Sequence, residues 1–168
     1  MLTIRLETSL DHPAIRQVNL DAFRNHPVSR QTEHRIVDAL RAADALELSL
    51  VADLDGSVVG HIAFSPAQIG DHATGWYLLG PLAVLPAFQR RGIGRMLVEA
   101  GLVALRARHA AGCVLVGNPA YYTRFGFQQL ADITYPGVPD QYVLTLPLAG
   151  LAPQGTVTSH PAFDLPPE

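Results

Sequence analysis

Alternation and periodicity divide the chain into elements before any single residue matters. Leu2, Ile4 and Leu6 alternate with polar neighbours, which predicts a first strand. Asp11 then stands where a helix cap belongs, with Pro13 in the first turn and Ala14, Ile15, Val18 and Ala22 at helical spacing as far as 24–27. A second helix is predicted after Thr32, with Ile36, Val37 and Leu40 inward and Glu33, His34, Arg35, Asp38 and Arg41 on its surface. Leu48–Asp53 and Val58–Ser65 are β-rich runs around Asp55-Gly56, a strong hairpin signal. His61, within the second run, is expected to pack or to face solvent and is given no catalytic role.

Gly70–Gly75 reads as a loop leading to a central strand that is uncharged from Trp76 to Val84. Further on, Ile93, Leu97, Ala100 and Ala104 recur on one helical face opposite Arg95, Glu99 and Arg106, so a helix packed on a sheet is expected to end near 108–112. Cys113–Val116 predicts a buried strand parallel to the central one, with its lone cysteine as a core thiol. Asn118-Pro119 opens a short helix over 120–125 that Gly126 ends, and Tyr142–Leu146 reads as a late strand. The proline-rich stretch from 148 to 168 lacks periodicity and is expected to wrap the surface or to be partly mobile, as an extension of a domain over 1–147.

Between the central strand and the long helix lies Gln89-Arg90-Arg91-Gly92-Ile93-Gly94-Arg95. Glycines without a Cβ let a ligand approach the backbone, and the first amides of a helix point outward without intrahelical acceptors. With the positive end of the helix dipole and the charges of Arg90, Arg91 and Arg95, this segment forms an anion site suited to a diphosphate. A Walker A loop needs Lys and then Ser or Thr after its last glycine, whereas Arg95-Met96 follow Gly94. A dinucleotide fingerprint needs a small residue where Leu97 stands and an acid about twenty residues on, and 110–120 has none.

Gln-x-x-Gly-x-Gly after Leu82-Ala83-Val84 and Pro86 resembles the acyl-CoA-binding signature of the GNAT superfamily of N-acetyltransferases. Tyr121-Tyr122-Thr123-Arg124-Phe125-Gly126-Phe127 is similar to the family's closing motif, in the Gly-Asn-Pro-x-Tyr-Tyr form of a less characterised branch of predicted acetyltransferases. The resemblance spans about residues 2–146. It implies an α/β fold in which a mixed central sheet is flanked by helices on both faces. It implies that Leu82, Ala83 and Val84 line the pantetheine arm of acetyl-CoA, with the diphosphate on the amides of Arg91, Gly92, Ile93, Gly94 and Arg95. Gln89 and Arg90 would flank that diphosphate. Asn118 would contribute to the coenzyme site, and Tyr122 would act as general acid toward the departing thiolate. Asn118 and Tyr122 stand closer together here than in the commoner form of the motif. Tyr121, Phe125 and Phe127 are expected to pack in the core.

The function so implied is direct transfer of an acetyl group from acetyl-CoA to a primary amine, with a backbone amide at Val84 polarising the thioester carbonyl. The alternative is a non-catalytic acetyl-CoA sensor. Acceptor, general base, oligomeric state and any part played by the tail in the acceptor pocket are left open. A small-molecule or peptide amine is the expected partner, to a monomer or homodimer.

Composition narrows this further. The chain has 168 residues and a formal charge of −3, which gives no basic field for nucleic acid. Its longest uncharged run is broken by Pro81 and Pro86 and is too short for a bilayer. Its start lacks a basic region followed by an apolar one, so a cytoplasmic location is expected. The histidines at 12, 26, 34, 61, 72, 109 and 160 are scattered, so no metal site is expected. A Gly-x-Ser-x-Gly elbow is absent.

Overall fold

The computed structural model describes residues 1–71 and 73–168. Their backbone forms two compact units interleaved along the chain. The first holds Met1–Phe64, Gly80–Leu102 and Pro161–Glu168, and the second holds Ser65–Leu79 and Val103–His160. The eight strands make a mixed sheet.

In the first unit, β1 (Leu2–Leu6) pairs antiparallel with β2 (Leu48–Leu54), and β2 pairs with the start of β3 (Ser57–Ile69). The β2–β3 turn has Asp55 at φ 52° and Gly56 at φ 92°. Two consecutive left-handed residues match the twist of a two-residue hairpin, which is why Asp-Gly works here. Asp53 Oδ1 also accepts from the Gly56 amide at 2.7 Å.

Neighbouring residues of β2 point to opposite faces. Val51 packs with Ile15 of α1 (His12–Phe23) and Val37 of α2 (Glu33–Ala42). Ala52 pairs with Gly60, where a Cβ would lie 3.1 Å from Leu97 and 3.2 Å from Ile93 of α3 (Ile93–Ala107). The sheet therefore carries α1 and α2 on one face and α3 on the other. Ile15, Val37 and Val51 are almost wholly buried, and each contributes about 1.5–3 kcal/mol by leaving water.

Several expectations are corrected in this unit. Asp11 does not cap α1 with its side chain. Its carboxylate instead binds Arg5 at 2.8 and 3.0 Å and accepts from the Thr8 amide at 2.7 Å. His34 is buried, because it lies three residues before Val37 on a broadened apolar face of α2. On α3 the buried stripe is Ile93, Leu97, Val98, Leu102 and Leu105, while Ala100 and Ala104 lie at its margin. The C-terminal residues also settle on this unit: Ala162 is buried against Ile36 and Leu40, and Arg35 Nη1 donates to the Pro166 carbonyl at 2.6 Å.

In the second unit, β4 (Ala73–Val84) begins parallel to β5 (Gly112–Val116), with Trp76↔Gly112 and Leu78↔Val114 in register. β5 pairs antiparallel with β7 (Val143–Pro147). The loop expected over Gly70–Gly75 is shorter, since β4 already starts at Ala73, while His72 lies outside the described residues. Two strands escape the periodicity. β8 (Gly155–Thr158) pairs antiparallel with the end of β3, and β6 (Ile133–Thr134) pairs parallel with β8. Cys113 is fully buried, and that burial pushes its thiol up. Among the described residues no helix is long and apolar enough to cross a membrane, and no three potential metal ligands gather.

Candidate functional site

The glycine loop belongs wholly to the first unit. After Val84 the chain makes one 3-10 turn, Pro86–Phe88, with the Phe88 amide on the Leu85 carbonyl at 2.8 Å. Arg90 follows at φ 62° and Gly92 at φ 81°, both left-handed. Glycine takes that conformation freely, and Arg90 takes it against a cost of about 1–2 kcal/mol. The first i to i−4 bond of α3 runs from the Met96 amide to the Gly92 carbonyl at 3.0 Å. The amides of Ile93, Gly94 and Arg95 therefore precede the helical ladder and have no acceptor within it. That is a place for an anion, at the positive end of a fifteen-residue helix.

The side chains around these amides are less uniform than their charges suggest. Arg90 and Arg91 are exposed, and the Arg91 guanidinium lies 5.3 Å from the centre of the Phe88 ring. Arg95 is paired with Glu99 at 2.8 Å one turn on, which shares out its charge. Gln89 turns back toward the strand, and its Nε2 donates to the Val84 carbonyl at 3.0 Å.

Leu82 and Val84 are half-buried on one face of β4, and Ala83 is 2% exposed on the other. The register of β4 against β5 stops at Leu78↔Val114, although β4 runs on to Val84. The backbone groups of Leu82–Val84 are not taken up by that ladder. Just beyond, the Leu85 amide donates to Val59 of β3 at 2.9 Å.

The aromatic motif belongs wholly to the second unit. Asn118 sits in extended backbone before α4 (Pro119–Tyr122), and its Oδ1 accepts from the Ala120 amide at 2.9 Å. With Pro119 in the first turn, this is a built helix start. Asn118 is exposed, and its acceptor oxygen is committed to the cap. A further 3-10 turn, Thr123–Phe125, ends at Gly126 with φ 97°. Tyr122 meets Tyr121 edge-on at 4.9 Å between ring centres, with Phe127 at 6.1 Å and Phe125 at 6.3 Å. Gly117 makes room for it, because a Cβ there would stand 2.6 Å from the Tyr122 ring. Phe127 is fully buried; Tyr121 and Phe125 are only half-buried, with Arg124 stacked 4.9 Å from the Tyr121 ring centre.

Burial chiefly, then the neighbouring Tyr121 and Cys113, push the Tyr122 phenol well above its ordinary value. It therefore holds its proton across the whole physiological range. A group in that state donates a hydrogen bond and does not act as a base.

A buried polar network in the first unit was invisible to sequence reading. His61 is fully buried, with Nε2 2.8 Å from Ser49 Oγ and Nδ1 3.2 Å from Asn19 Nδ2. Asn19 Nδ2 also donates to the Ile15 carbonyl at 3.0 Å, which fixes the amide orientation. We therefore assign the His61 proton to Nε2, donating to Ser49. Burial pushes His61 down to about 4, so it is neutral. Ser49 accepts from His61 in this arrangement, so His61 does not serve as its base. Burial pushes the Glu7 carboxyl up, but bonds from Arg41 and Ser49 outweigh it and leave it below its ordinary value. Arg41 Nε and Nη2 each reach Glu7 at 3.1 Å. Partners lie 12 residues apart for Ser49 and His61 and 42 apart for Asn19 and His61, beyond any local motif.

Comparison with known proteins bears on both regions. A model of the acetyltransferase (GNAT) domain matches residues 45–129, a span that includes the glycine loop and the aromatic motif. The chain is 37% identical over 131 residues to the uncharacterized N-acetyltransferase YhbS of Escherichia coli K12, covering 77% of this chain and 75% of that one. A crystal structure of a GNAT family acetyltransferase from Brucella melitensis in complex with acetyl-CoA superposes with a TM-score of 0.88 at 50% identity, over 98% of this chain and 99% of that chain. The structure of YhbS from Escherichia coli in complex with CoA gives 0.86 at 33% identity, over 98% and 92%.

Proposed function

The chain belongs to the GNAT acetyltransferase family, and we propose that it moves the acetyl group of acetyl-CoA to a primary amine by direct attack. The observation that carries this reading is the set of outward amides at Ile93, Gly94 and Arg95 behind the left-handed Gly92, a backbone cradle for the coenzyme diphosphate. The acetyl-CoA complex of the Brucella protein, half identical over nearly the whole of both chains, supports the same ligand here.

In this reading the thioester lies along Leu82–Val84, whose backbone is outside the β4–β5 ladder. A neutral amine attacks the carbonyl carbon, forming the C–N bond. The Val84 amide donates to the carbonyl oxygen as it gains charge. The C–S bond then breaks, and the Tyr122 phenol gives its proton to the sulfur. A phenol above about 10 is a weaker acid than a thiol of about 8.5, so this transfer is uphill by itself. The proton released from the new amide nitrogen restores the tyrosine and completes the balance. Asn118 starts the turn that carries Tyr122.

The acceptor is a small-molecule or peptide amine. Incubation with labelled acetyl-CoA and a panel of primary amines, with free thiol and acetylated products both measured, tests the reading. Matched release of thiol and labelled amide is the expected result. Coenzyme binding without thiol release from any amine would instead make the protein an acetyl-CoA sensor.

A further inference from the structure

We propose that Gln89 is a positioning residue for acyl transfer, acting through the Val84 peptide and not through the diphosphate. The inference rests on the acetyl-CoA reading above and deepens it. Its basis is one hydrogen bond and the direction of the strand around it.

Successive residues of an extended strand turn their N–H and C=O groups alternately to its two edges. The Leu85 amide donates to Val59 of β3 at 2.9 Å, so the groups of Val84 point away from β3. On that open edge Val84 offers one donor and one acceptor. Gln89 Nε2 occupies the acceptor at 3.0 Å. What Val84 then presents to a ligand is its N–H alone. A carbonyl oxygen left bare beside a thioester would repel the oxyanion forming there and would compete for the N–H of the attacking amine. Gln89 removes that acceptor and ties the strand end to the loop five residues on. The Val84–Leu85 peptide is thereby bonded at both ends, by Gln89 at its oxygen and Val59 at its N–H.

A side chain held this way is not free to grip phosphate. Arg90 and Arg91, both exposed, remain for that role. The two duties separate by measurement. Gln89→Leu removes the donor, Gln89→Glu replaces it with an acceptor at similar size, and Gln89→Arg keeps a donor of sufficient reach. CoA affinity is read by calorimetry and the bound thioester by infrared spectroscopy of acetyl-CoA labelled with carbon-13 at the carbonyl.

In the wild type the labelled carbonyl band should shift to lower frequency on binding. In Gln89→Leu and Gln89→Glu the band should return toward its solution position, with CoA affinity within threefold of wild type. Gln89→Arg should recover at least half of the shift. Thiol release should fall tenfold or more in the first two variants, through kcat and not KM. If both variants lose affinity tenfold while the band stays shifted, Gln89 is a phosphate ligand and the proposal is wrong. If they match the wild type in band and turnover, the proposal is equally wrong. A wild type that takes up no acetyl-CoA overturns the underlying acetyl-CoA reading instead, and calorimetry reveals this before any variant is made.

Discussion

Around Gly92 the polar groups offered to a ligand are backbone amides, while around Tyr122 they are side-chain groups set among aromatic rings. The first arrangement comes from helix geometry and two left-handed residues, Arg90 and Gly92, so most side chains there tune the site without creating it. The second depends on packing. Tyr122 is held by Tyr121, Phe125 and Phe127 and admitted by the missing Cβ of Gly117. A site built from backbone is hard to remove by one substitution, whereas a site built from one side chain is not.

The sharpest contrast is Tyr122→Phe, which keeps the ring and removes the proton. Turnover should fall by about 10²–10⁴-fold, the range for a positioned general acid, with coenzyme affinity retained. The phenol is held above its ordinary value, so the wild-type rate should show no basic limb from Tyr122 below about pH 10. Steady-state thiol release against pH checks both statements, and turnover equal to wild type removes Tyr122 from the chemistry.

Acid should divide the molecule along the same line. The first unit is braced by a neutral buried histidine, and the motif by apolar rings. His61 titrates at about 4 when folded against 6.5 for the ordinary side chain. Between those values the unfolded chain binds a proton that the folded chain refuses, so stability drops as pH falls through the window, by about 3 kcal/mol at its acid end. Amide exchange from pH 7 to 4.5 should loosen the strands around His61 before the helix carrying Tyr122. In His61→Gln the slope should flatten; an unchanged slope places the acid sensitivity elsewhere.

A smaller effect is expected at Gly117→Val, which leaves Tyr122 present but crowds its ring. Overpacking of this kind costs about 1–3 kcal/mol, and each kcal/mol corresponds to about 2–4 °C in Tm for a chain of this size. Turnover should drop at least tenfold and coenzyme affinity should hold. Full activity at a lowered Tm would mean that the ring tolerates displacement.

Local chemistry explains what the sequence made legible. Asp55-Gly56 dictates its own turn, Asn118-Pro119 its own helix start, and Gly126 its own stop, so these elements lie where expected. The mixed sheet with helices on both faces followed from the resemblance to the GNAT superfamily, while periodicity marked the hairpin and α3 within it. Pairing at long range was hidden. β8 is four residues long and β6 only two, and β8 is defined by partners such as Ile69 that no local pattern connects. Gly70–Gly75 has the composition of a loop, yet β4 already opens at Ala73 and carries Gly75 at φ 78° within it. The burial of His34, the chain from Asn19 through His61 and Ser49 to Glu7, and the aim of the Gln89 amide all depend on tertiary placement.

The claim on which the functional reading stands is that the backbone at Arg91–Arg95 receives a diphosphate. Calorimetry with CoA and with pantetheine, which has the thiol arm but no diphosphate, addresses it directly. The account predicts micromolar binding of CoA and binding of pantetheine weaker by at least a hundredfold. Equal affinity for the two, or no heat from CoA, would contradict it.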